Sequence, residues 1–386
     1  MRLGWSRFVA AACVGVVVSF AAFQSSASPS EITVAQAGPG GPKGPRGPGG
    51  PGGGPRGPGG GGPGDVQPSE VPWTDVQIHL RAGAARNFDA VIGLALKQTA
   101  RLNRKMLVLV PQPFPYEGSN ANAHDYDVFL DSVKRNPDKL AFLGGSKLNA
   151  ILQATDPKKV TDAVKRQFLD QANKTLDDGA RGFGELAVLH FSEFQGHPYE
   201  RVQPDHPLLL ALADLTAQRN ALMAIHIEAV EHGMPLPKGL KSPPNPSYVE
   251  EDIAAFERLL SHNPNARIVW LHNGWDNTGQ RTPELVQKLM AAHPNLSIAL
   301  KFHRSRFTEN AVVTGSGLNG GWVKVMRAFP DRVVIGSDTF FAGAASQAGE
   351  KFEPQPMMVL LSRLTPPLRE KVAFENAERI YNLNGR

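Results

Sequence analysis

Eight short aliphatic or β-branched runs alternate with longer segments of helical period between about Val66 and Arg386. This alternation predicts an α/β fold in which helices connect the strands of a parallel sheet. Eight such units in one long domain predict a (β/α)8 TIM barrel. The predicted strands are Val76–Leu80, Met106–Val110, Leu140–Leu143, Gly182–Val188, Leu222–Ile227, Arg267–His272, Leu296–Phe302 and Arg332–Ser337.

The helical spacing is clearest after the first predicted strand, from Phe88 to Leu102, and it recurs in Val160–Ala172 and Ile253–Leu260. An open doubly wound sheet is the alternative fold. That fold needs a Gly-rich phosphate turn after its first strand, and the segment Arg81–Ala85 does not supply one. The barrel is therefore the favoured prediction.

Four of the apolar runs end in a side chain that can bind a metal: His79, His226, His272 and Asp338. The strand ends of a parallel barrel meet at one mouth, so these four side chains are expected to converge. Three imidazoles and a carboxylate suit a divalent cation, with zinc favoured and manganese or iron possible. His272 could instead donate to a substrate carbonyl or hold a second metal.

Two further side chains are candidate ligands. Gln77 alternates with His79 on the first strand, so both should face the barrel interior, although an amide oxygen is a weak ligand for zinc. Glu185 lies on the fourth strand, where it could bridge two ions, orient the ligands or pair with Arg181. Glu228 could accept a hydrogen bond from His226 or be a loop charge.

Other polar residues follow the remaining strands, and an arginine among them could clamp an anionic substrate or be a loop charge. These residues are His190, His303, Arg304 and Arg306. Three more histidines are expected to face solvent in loops, namely His124, His197 and His232.

Residues 1–37 have the pattern of a secretory signal peptide, with Arg2 and Arg7 before the apolar run Phe8–Phe23. Small residues at Ser25–Ala27 and Ala35–Ala37 offer cleavage sites, although an uncleaved membrane anchor is the alternative. Residues 38–65, rich in Gly and Pro, are expected to form a disordered linker. The barrel domain then covers residues 66–386, and cleavage would leave an exported, periplasmic or secreted chain with no stable membrane span.

The net charge of +5 does not indicate a nucleic-acid partner. Five basic residues precede position 66, against only Glu31 and Asp65, so the remainder is nearly neutral. The only cysteine, Cys13, lies in the predicted leader, so no disulfide or thiolate ligand is expected in the mature chain. A small-molecule substrate is the expected partner, and the sequence does not predict an oligomeric state.

Several motifs together resemble the metal-dependent hydrolases of the second amidohydrolase group. They are Asp75-x-x-x-His79, Gly179–Glu185, Ile225-His226, Val269–His272, Gly336–Asp338 and the closing segment Phe374–Tyr381. The resemblance covers about Trp73 to Asn382 and implies a distorted TIM barrel with one or two divalent metals. It places His79, His226 and Asp338 at ligand positions, His272 at the strand-six position and Glu185 near the bridging position. Gln77 stands where that family has the first histidine of a His-x-His pair.

The resemblance implies hydrolysis of a C–N or C–O bond in a small amide, lactone or ester by a metal-activated water. Asp338 would then transfer the proton of that water, and His272 would stabilise charge on the carbonyl oxygen. A non-oxidative decarboxylase is a second expectation, because the same branch includes such enzymes. A degenerate, non-catalytic barrel used for binding is the third expectation. It is based on Gln77, which replaces the first histidine of the His-x-His pair.

Overall fold

The computed structural model describes residues 69–113, 123–194, 197–303, 305–315, 317–342 and 354–384. The predicted signal peptide, the Gly/Pro-rich linker and Arg304 lie outside these residues. The strands are β1 (Trp73–Arg81), β2 (Arg104–Leu109), β3 (Leu140–Phe142), β4 (Gly182–His190), β5 (Glu200–Arg201), β6 (Leu222–Ile227), β7 (Met234–Pro235), β8 (Tyr248–Val249), β9 (Arg267–Asn273), β10 (Leu296–Leu300), β11 (Val313–Thr314), β12 (Gly317–Leu318), β13 (Val333–Ile335) and β14 (Thr339–Ala342).

The helices alternate with the longer strands, as the periodicity predicts. They are α1 (Phe88–Arg101), α2 (Leu130–Arg135), α3 (Ser146–Ala154), α4 (Asp162–Asp177), α5 (Pro207–Gln218), α6 (Ile253–His262), α7 (Pro283–Ala292), α8 (Gly320–Ala328), α9 (Gln355–Arg363), α10 (Pro366–Glu370) and α11 (Asn376–Ile380). A π-helical turn, Lys371–Glu375, joins α10 to α11. Among the described residues, no helix is both long and apolar enough to cross a bilayer.

Parallel sheets form the centre of the fold. One sheet has the order β14-β1-β2-β3 and the other has the order β13-β10-β9-β6-β4-β5. Every pairing in the two sheets is parallel except that of the short strand β5 with β4. A parallel bridge between Gly144 and Phe183 connects the end of β3 to β4. The sequence-based prediction of an α/β fold with parallel strands is confirmed.

The last predicted strand contains β13 alone, and a further strand, β14, follows it. β13 pairs with β10 through Ile335 and Leu300, whereas β14 pairs with β1 through Thr339 and Ile78. The segment between β13 and β14, which contains Asp338, therefore passes from one sheet to the other. The predicted strand Arg332–Ser337 corresponds to β13, whereas β14, which pairs with β1, was not predicted.

Side chains of one strand alternate between two apolar clusters. Ile268 and Trp270 of β9 pack in the cluster that contains the helices α5 to α8, while Val269 and Leu271 pack in a second cluster. The second cluster also contains Tyr381 and other residues of the C-terminal helix. Burial on both faces explains why these strands are continuous apolar runs in the sequence.

The C-terminal helix lies at the amino ends of the strands. Asn376 donates from Nδ2 to the carbonyl oxygens of Pro330 and Val333, at 2.8 and 2.9 Å, just before and within β13. The opposite ends of the strands, where the polar residues lie, are therefore not covered by this helix. This leaves the carboxyl ends of the strands available for a site.

Local signals in the sequence fix where several helices begin. Thr282 precedes Pro283 at the first turn of α7 and accepts a hydrogen bond from the amide of Leu285 at 3.1 Å. Asn87 does the same for α1 through Ala90, at 3.0 Å. Such caps contribute about 1 kcal/mol each and set the direction in which the chain leaves the strand before them.

Candidate metal centre

The candidate site gathers side chains from five separate strand ends. His79 lies on β1, Glu185 on β4, His226 on β6, His272 on β9, and Asp338 between β13 and β14. Each of them is at most 6% exposed. β4, β6 and β9 are consecutive parallel neighbours, which places Glu185, His226 and His272 side by side. The convergence expected from the sequence is therefore present for all five residues.

Glu185 is the centre of this cluster. Its Oε1 contacts Nδ1 of His226 and lies 3.7 Å from Nε2 of His272, while its Oε2 lies 3.1 Å from Nε2 of His79. Two groups of possible metal ligands result, Glu185–His226–His272 and His79–Glu185–Asp338, and Glu185 belongs to both. His226 and the pair His79–Asp338 thus belong to different groups, which Glu185 connects.

Asp338 uses its two oxygens differently. Oδ1 lies 3.0 Å from Nε2 of His79, whereas Oδ2 forms an ion pair of 2.6 Å with Nζ of Lys301. Burial alone would raise the pKa of Asp338, but the charge of Lys301 and the hydrogen bond with His79 hold that pKa well below its usual range. Asp338 is therefore an ionised carboxylate at neutral pH.

The backbone is constrained at two of the site residues. His272 and Asp338 adopt left-handed conformations, with φ of 64° and 55°. Residues other than glycine rarely adopt this region, and such strain is concentrated at functional sites. Asp75 helps to fix the second of these turns, because its Oδ1 accepts a hydrogen bond of 2.9 Å from the amide of Ser337.

His79 is held in one orientation by a backbone carbonyl. Its Nδ1 lies 2.9 Å from the oxygen of Val110, so Nδ1 carries a proton and Nε2 faces the carboxylates of Glu185 and Asp338. Burial opposes protonation, but the hydrogen bonds and charges of Asp338 and Glu185 raise the pKa of His79 to about 9. A neutral imidazole would present its lone pair to two anions, so this position calls for a proton or a cation.

Gln77 lies between the two groups. Its Nε2 is 2.9 Å from Oε2 of Glu185, 2.7 Å from Nε2 of His272, and 3.4 Å from both Nε2 of His79 and Oδ1 of Asp338. Its Oε1 is buried and has no hydrogen-bond partner among the described residues. The two amide protons thus face the carboxylates of Glu185 and Asp338 and the neutral ring of His272, and they lie against the ring of His79. As predicted, Gln77 points into the site beside His79.

The side chains present are suited to a divalent cation. Three imidazoles and two carboxylates face one another in a buried space, and nitrogen and oxygen donors of this kind bind zinc, manganese or iron. Nδ1 of His272 is buried and has no hydrogen-bond partner within the described part of the chain. Burial lowers the pKa of His272 well below its usual value, so the imidazole is neutral, the form that binds metals.

A buried arginine supports the cluster from behind. Nη1 of Arg281 donates to the carbonyl oxygens of His272 and Trp275, at 2.9 and 3.0 Å, and Nη2 donates to the carbonyl of Ile227 and to Oε2 of Glu228, the latter at 3.1 Å. Arg281 is fully buried. It therefore fixes the ends of β6 and β9 relative to each other.

Glu228 connects this arginine to the cluster. Its Oε1 accepts a hydrogen bond of 3.1 Å from Asn277 and lies 3.5 Å from Nε2 of His226. Burial would raise its pKa, but Arg281 and His226 lower the pKa of Glu228 to about 2. Of the two roles considered from the sequence, the structure places Glu228 as a buried partner of His226 and not as a loop charge.

Lys301 and Arg281 were not identified from the sequence. β10 ends at Leu300 and not at Phe302 as predicted, so Lys301 is the first residue after the strand. Its position after an apolar run is the same signal that identified His272 and Asp338. Arg281 lies in the loop before α7 and carries no comparable pattern.

A cavity of about 1200 Å³ opens above the cluster. Its lining includes Glu185, His226, His272, Lys301 and Asp338, together with three of the polar residues that follow other strands, namely His190, His303 and Arg306. His197, which was expected in a solvent-facing loop, lines it as well. Arg306 is exposed, and its Nη1 lies 3.5 Å from the carbonyl oxygen of Lys238.

Two of the three histidines that were expected to face solvent in loops are buried or half-buried. His124 is buried, with its ring 4.7 Å from that of Phe88 and 5.4 Å from that of Phe129. His197 is half-buried in the cavity wall, with its ring 4.6 Å from that of His190. Only His232 is exposed as expected. Phe88, which is distant in the sequence, and the nearby Phe129 pack against His124, and local composition does not reveal this packing.

No family model matches this chain, and no curated protein matches it. Solved structures do. An amidohydrolase 2 from Bifidobacterium longum subsp. infantis matches with 14% identity and a TM-score of 0.42, over 81% of this chain and 99% of that chain. An amidohydrolase from Mycobacterium avium subsp. paratuberculosis matches with 12% identity and a TM-score of 0.41, over 76% of this chain and 74% of that chain.

The aminofutalosine deaminase of Helicobacter pylori also matches, with 11% identity and a TM-score of 0.41, over 82% of this chain and 70% of that chain. The first two carry the name of the family that the sequence motifs resemble. At these identities and TM-scores, the activity of the chain has to be argued from its own site.

Proposed function

We propose that this chain is a metal-dependent hydrolase of the amidohydrolase type. The observation that carries the proposal is the buried cluster of three imidazoles and two carboxylates around Glu185. Buried carboxylates are costly unless a positive charge lies beside them. Lys301 contacts only one oxygen of Asp338, so a divalent cation is the simplest partner for the remaining acceptors.

For the architecture we propose the (β/α)8 barrel expected from the sequence. Three features support it: the Gly144–Phe183 bridge, the passage of the chain from β13 to β14, and the parallel pairing of all the longer strands. In such a barrel, the carboxyl ends of the strands carry the active site. The cluster lies at those ends.

The two groups offer two positions for an ion, and we assign the first ion to Glu185, His226 and His272. The first group has two imidazoles, one of them the neutral His272, whereas the other group, His79–Glu185–Asp338, has only one. The amide nitrogen of Gln77 borders both groups, at 2.7 Å from Nε2 of His272 and 3.4 Å from Oδ1 of Asp338, so a cation at either position would need the Gln77 amide to turn away. On this proposal the predicted ligands divide between the two positions: His226 belongs to the first, His79 and Asp338 to the second, and Glu185 to both. Gln77 lies between the positions, and His272 takes a ligand's place in the first.

A divalent ion at this position would lower the pKa of water and polarise a carbonyl. Among the chain's own side chains, Asp338 is the proposed proton acceptor. Lys301 keeps it ionised, and it faces the buried space of the cluster. Asp338 is held by Lys301 at Oδ2 and by His79 at Oδ1, and its carboxylate would take a proton from the attacking water and return it to the leaving group. The target is a C–N or C–O bond of a small amide, lactone or ester.

The direct test replaces Asp338 by Asn in the zinc-loaded protein. We expect hydrolysis of a panel of small esters, lactones and N-acyl amides to fall by at least about 100-fold, because the proton acceptor is lost. Asp331→Asn is the matched control, since that carboxylate is 59% exposed and pairs with Lys371. Unchanged hydrolysis and unchanged bound metal in Asp338→Asn would overturn the assignment.

The same preparations separate the alternatives. Release of carbon dioxide from hydroxylated benzoates, without hydrolysis of the panel, would identify a decarboxylase. A wild-type protein that binds no divalent metal and turns over neither class would identify a non-catalytic barrel. In that case the contacts of the Gln77 amide with Glu185, His272, Asp338 and His79 would be the stable arrangement of the cluster.

We also propose that the chain is exported. The support is the sequence alone: a short basic start, an apolar run and small residues at two possible cleavage sites within residues 1–37. Amino-terminal sequencing of the protein from periplasmic and culture fractions tests this. A start after Ala27 or Ala37 is expected, and an intact Met1 in the cytoplasmic fraction would contradict it.

A further inference from the structure

Phe194 is an exposed aromatic residue that borders the cavity. It follows β4, which ends at His190, and it is 59% exposed. Single apolar residues on a protein surface are common and need no explanation. Phe194 differs from them because it lines the cavity of about 1200 Å³ whose walls also include Glu185 and His226. Its ring therefore borders the space that a ligand of the candidate metal centre would enter.

The ring of Phe194 is supported on one face. The imidazole of His197 stacks on it, with 4.3 Å between the ring centroids and 18° between the ring planes. The amide of His197 donates to the carbonyl oxygen of Phe194 at 3.0 Å, and Nδ1 of His197 accepts a hydrogen bond of 3.1 Å from the amide of Glu193. Because His197 covers one face and more than half of the residue is exposed, the other face of Phe194 is open to a ligand.

The backbone before Phe194 is anchored to a second loop. The side-chain amide of Asn245, which is 1% exposed, pairs with both backbone groups of Ser192. Its Oδ1 accepts from the amide of Ser192, and its Nδ2 donates to the carbonyl oxygen of Ser192, both at 2.8 Å. The segment that carries Phe194 is thus held before a ligand arrives, which lowers the entropic cost of binding.

A row of rings connects Phe194 to the candidate metal centre. The ring of His197 lies 4.6 Å from that of His190, which lies 4.9 Å from that of His226. All four rings line the cavity. Burial lowers the pKa of His197 to about 4, so the ring behind Phe194 is uncharged at neutral pH. A small molecule can therefore place one end near His226 and rest a flat, uncharged body along this wall.

Two other aromatic rings in the cavity lining already have partners. The ammonium of Lys301 lies 3.7 Å from the ring centroid of Trp275. Phe340 is stacked with His79 at 4.7 Å and carries the guanidinium of Arg81 at 4.1 Å. Against Phe194, by contrast, the described residues place one ring, that of His197. Phe194 is thus the better placed of these rings to stack with a ligand.

We propose that Phe194 is a stacking platform for a planar ring of the substrate, so that the enzyme acts on small molecules with an aromatic body. The inference rests on the proposed function, since that function places the bond to be cleaved at the ion beside His226. It makes Phe194 a residue that determines specificity, whereas the cluster around Glu185 supplies the chemistry. Stacking of two aromatic rings changes an affinity by about two- to tenfold beyond the effect of buried area.

Isothermal titration of the zinc-loaded protein with benzamide and with cyclohexanecarboxamide tests the proposal. The two probes share the carboxamide and a six-membered ring, and only benzamide has a planar aromatic ring. We expect the wild type to bind benzamide at least about threefold more tightly than cyclohexanecarboxamide. Phe194→Leu keeps an apolar side chain without a ring face, so it should bind the two amides equally. Phe194→Tyr should keep the preference of the wild type.

Tyr248→Leu is the matched control, because Tyr248 is another exposed aromatic residue, at 53%, and does not line this cavity. It should keep the preference for benzamide. Replacement of an exposed side chain is compatible with folding, so Phe194→Leu is expected to be a folded protein. Equal binding of the two amides by the wild type would overturn the proposal, as would an unchanged preference in Phe194→Leu or a lost preference in Tyr248→Leu.

The failure of this inference differs from the failure of the hydrolytic proposal. A protein that binds zinc and hydrolyses the panel, but binds the two amides equally, overturns the role of Phe194 while the proposed hydrolase stands. A protein that takes up no zinc overturns the proposed hydrolase. A preference for benzamide that depends on Phe194 in that zinc-free protein would still support the stacking platform.

Discussion

Replacement of Arg281 by Met should destabilise the protein by about 4 kcal/mol. Met keeps most of the buried volume but removes the charge that faces Glu228 and the donors to the carbonyls of Ile227, His272 and Trp275. Breaking a buried ion pair from one side typically costs about 3–5 kcal/mol, because the other charge remains buried. Urea unfolding of the metal-free protein measures the loss.

A double-mutant cycle shows whether the pair with Glu228 is the cause. Arg281→Met combined with Glu228→Gln removes both charges, so its cost should be lower than the sum of the two single costs by about 2 kcal/mol. Arg327→Met, on the exposed face of α8, should stay within about 0.5 kcal/mol of the wild type. A loss below about 1 kcal/mol for Arg281→Met, or strict additivity in the cycle, would refute the reasoning.

Three further predictions concern the carboxylates and the amide. Glu185→Gln should weaken zinc binding by more than about 100-fold, since both ligand groups share Glu185; near-normal affinity in equilibrium dialysis would contradict this. Gln77→His should raise bound zinc from about one to about two ions per chain, because an imidazole ligand replaces the amide at the second position; elemental analysis that finds no increase would count against it. Burial raises the pKa of Glu200 to about 8 from an ordinary value of 4.5, so the folded state keeps a proton that the unfolded chain loses, and the free energy of unfolding falls as pH rises through this window. Glu200→Gln should therefore leave stability unchanged near pH 4 and increase it above pH 8 by a few kcal/mol, and equal effects in urea unfolding at both pH values would show that the carboxylate is not the cause.

The strands were predictable because burial on both faces makes them continuous apolar runs. All eight predicted runs contain observed strands, and the helix predicted from Phe88 is α1. Strand β14 was not predicted. It follows the polar residues Ser337 and Asp338, and its place depends on pairing with β1, whereas the predicted strand before it pairs with β10.

The convergence of the site residues followed from their position at strand ends, and this rule needs only the order of the elements. What the rule could not supply is which atoms meet. The division into two groups around Glu185, and the place of the Gln77 amide between them, depend on side-chain geometry. Lys301 was missed because the predicted strand was drawn two residues too long, which hid its position at the end.

Anomalous diffraction at the zinc absorption edge, from crystals of the zinc-loaded wild type, tests the central claim most directly. The account predicts a peak in the cluster, at about 2.0–2.2 Å from a carboxylate oxygen of Glu185 and from ring nitrogens of His226 and His272. Crystals that show no anomalous peak in this cluster, or a peak beyond bonding distance of these three side chains, would contradict it.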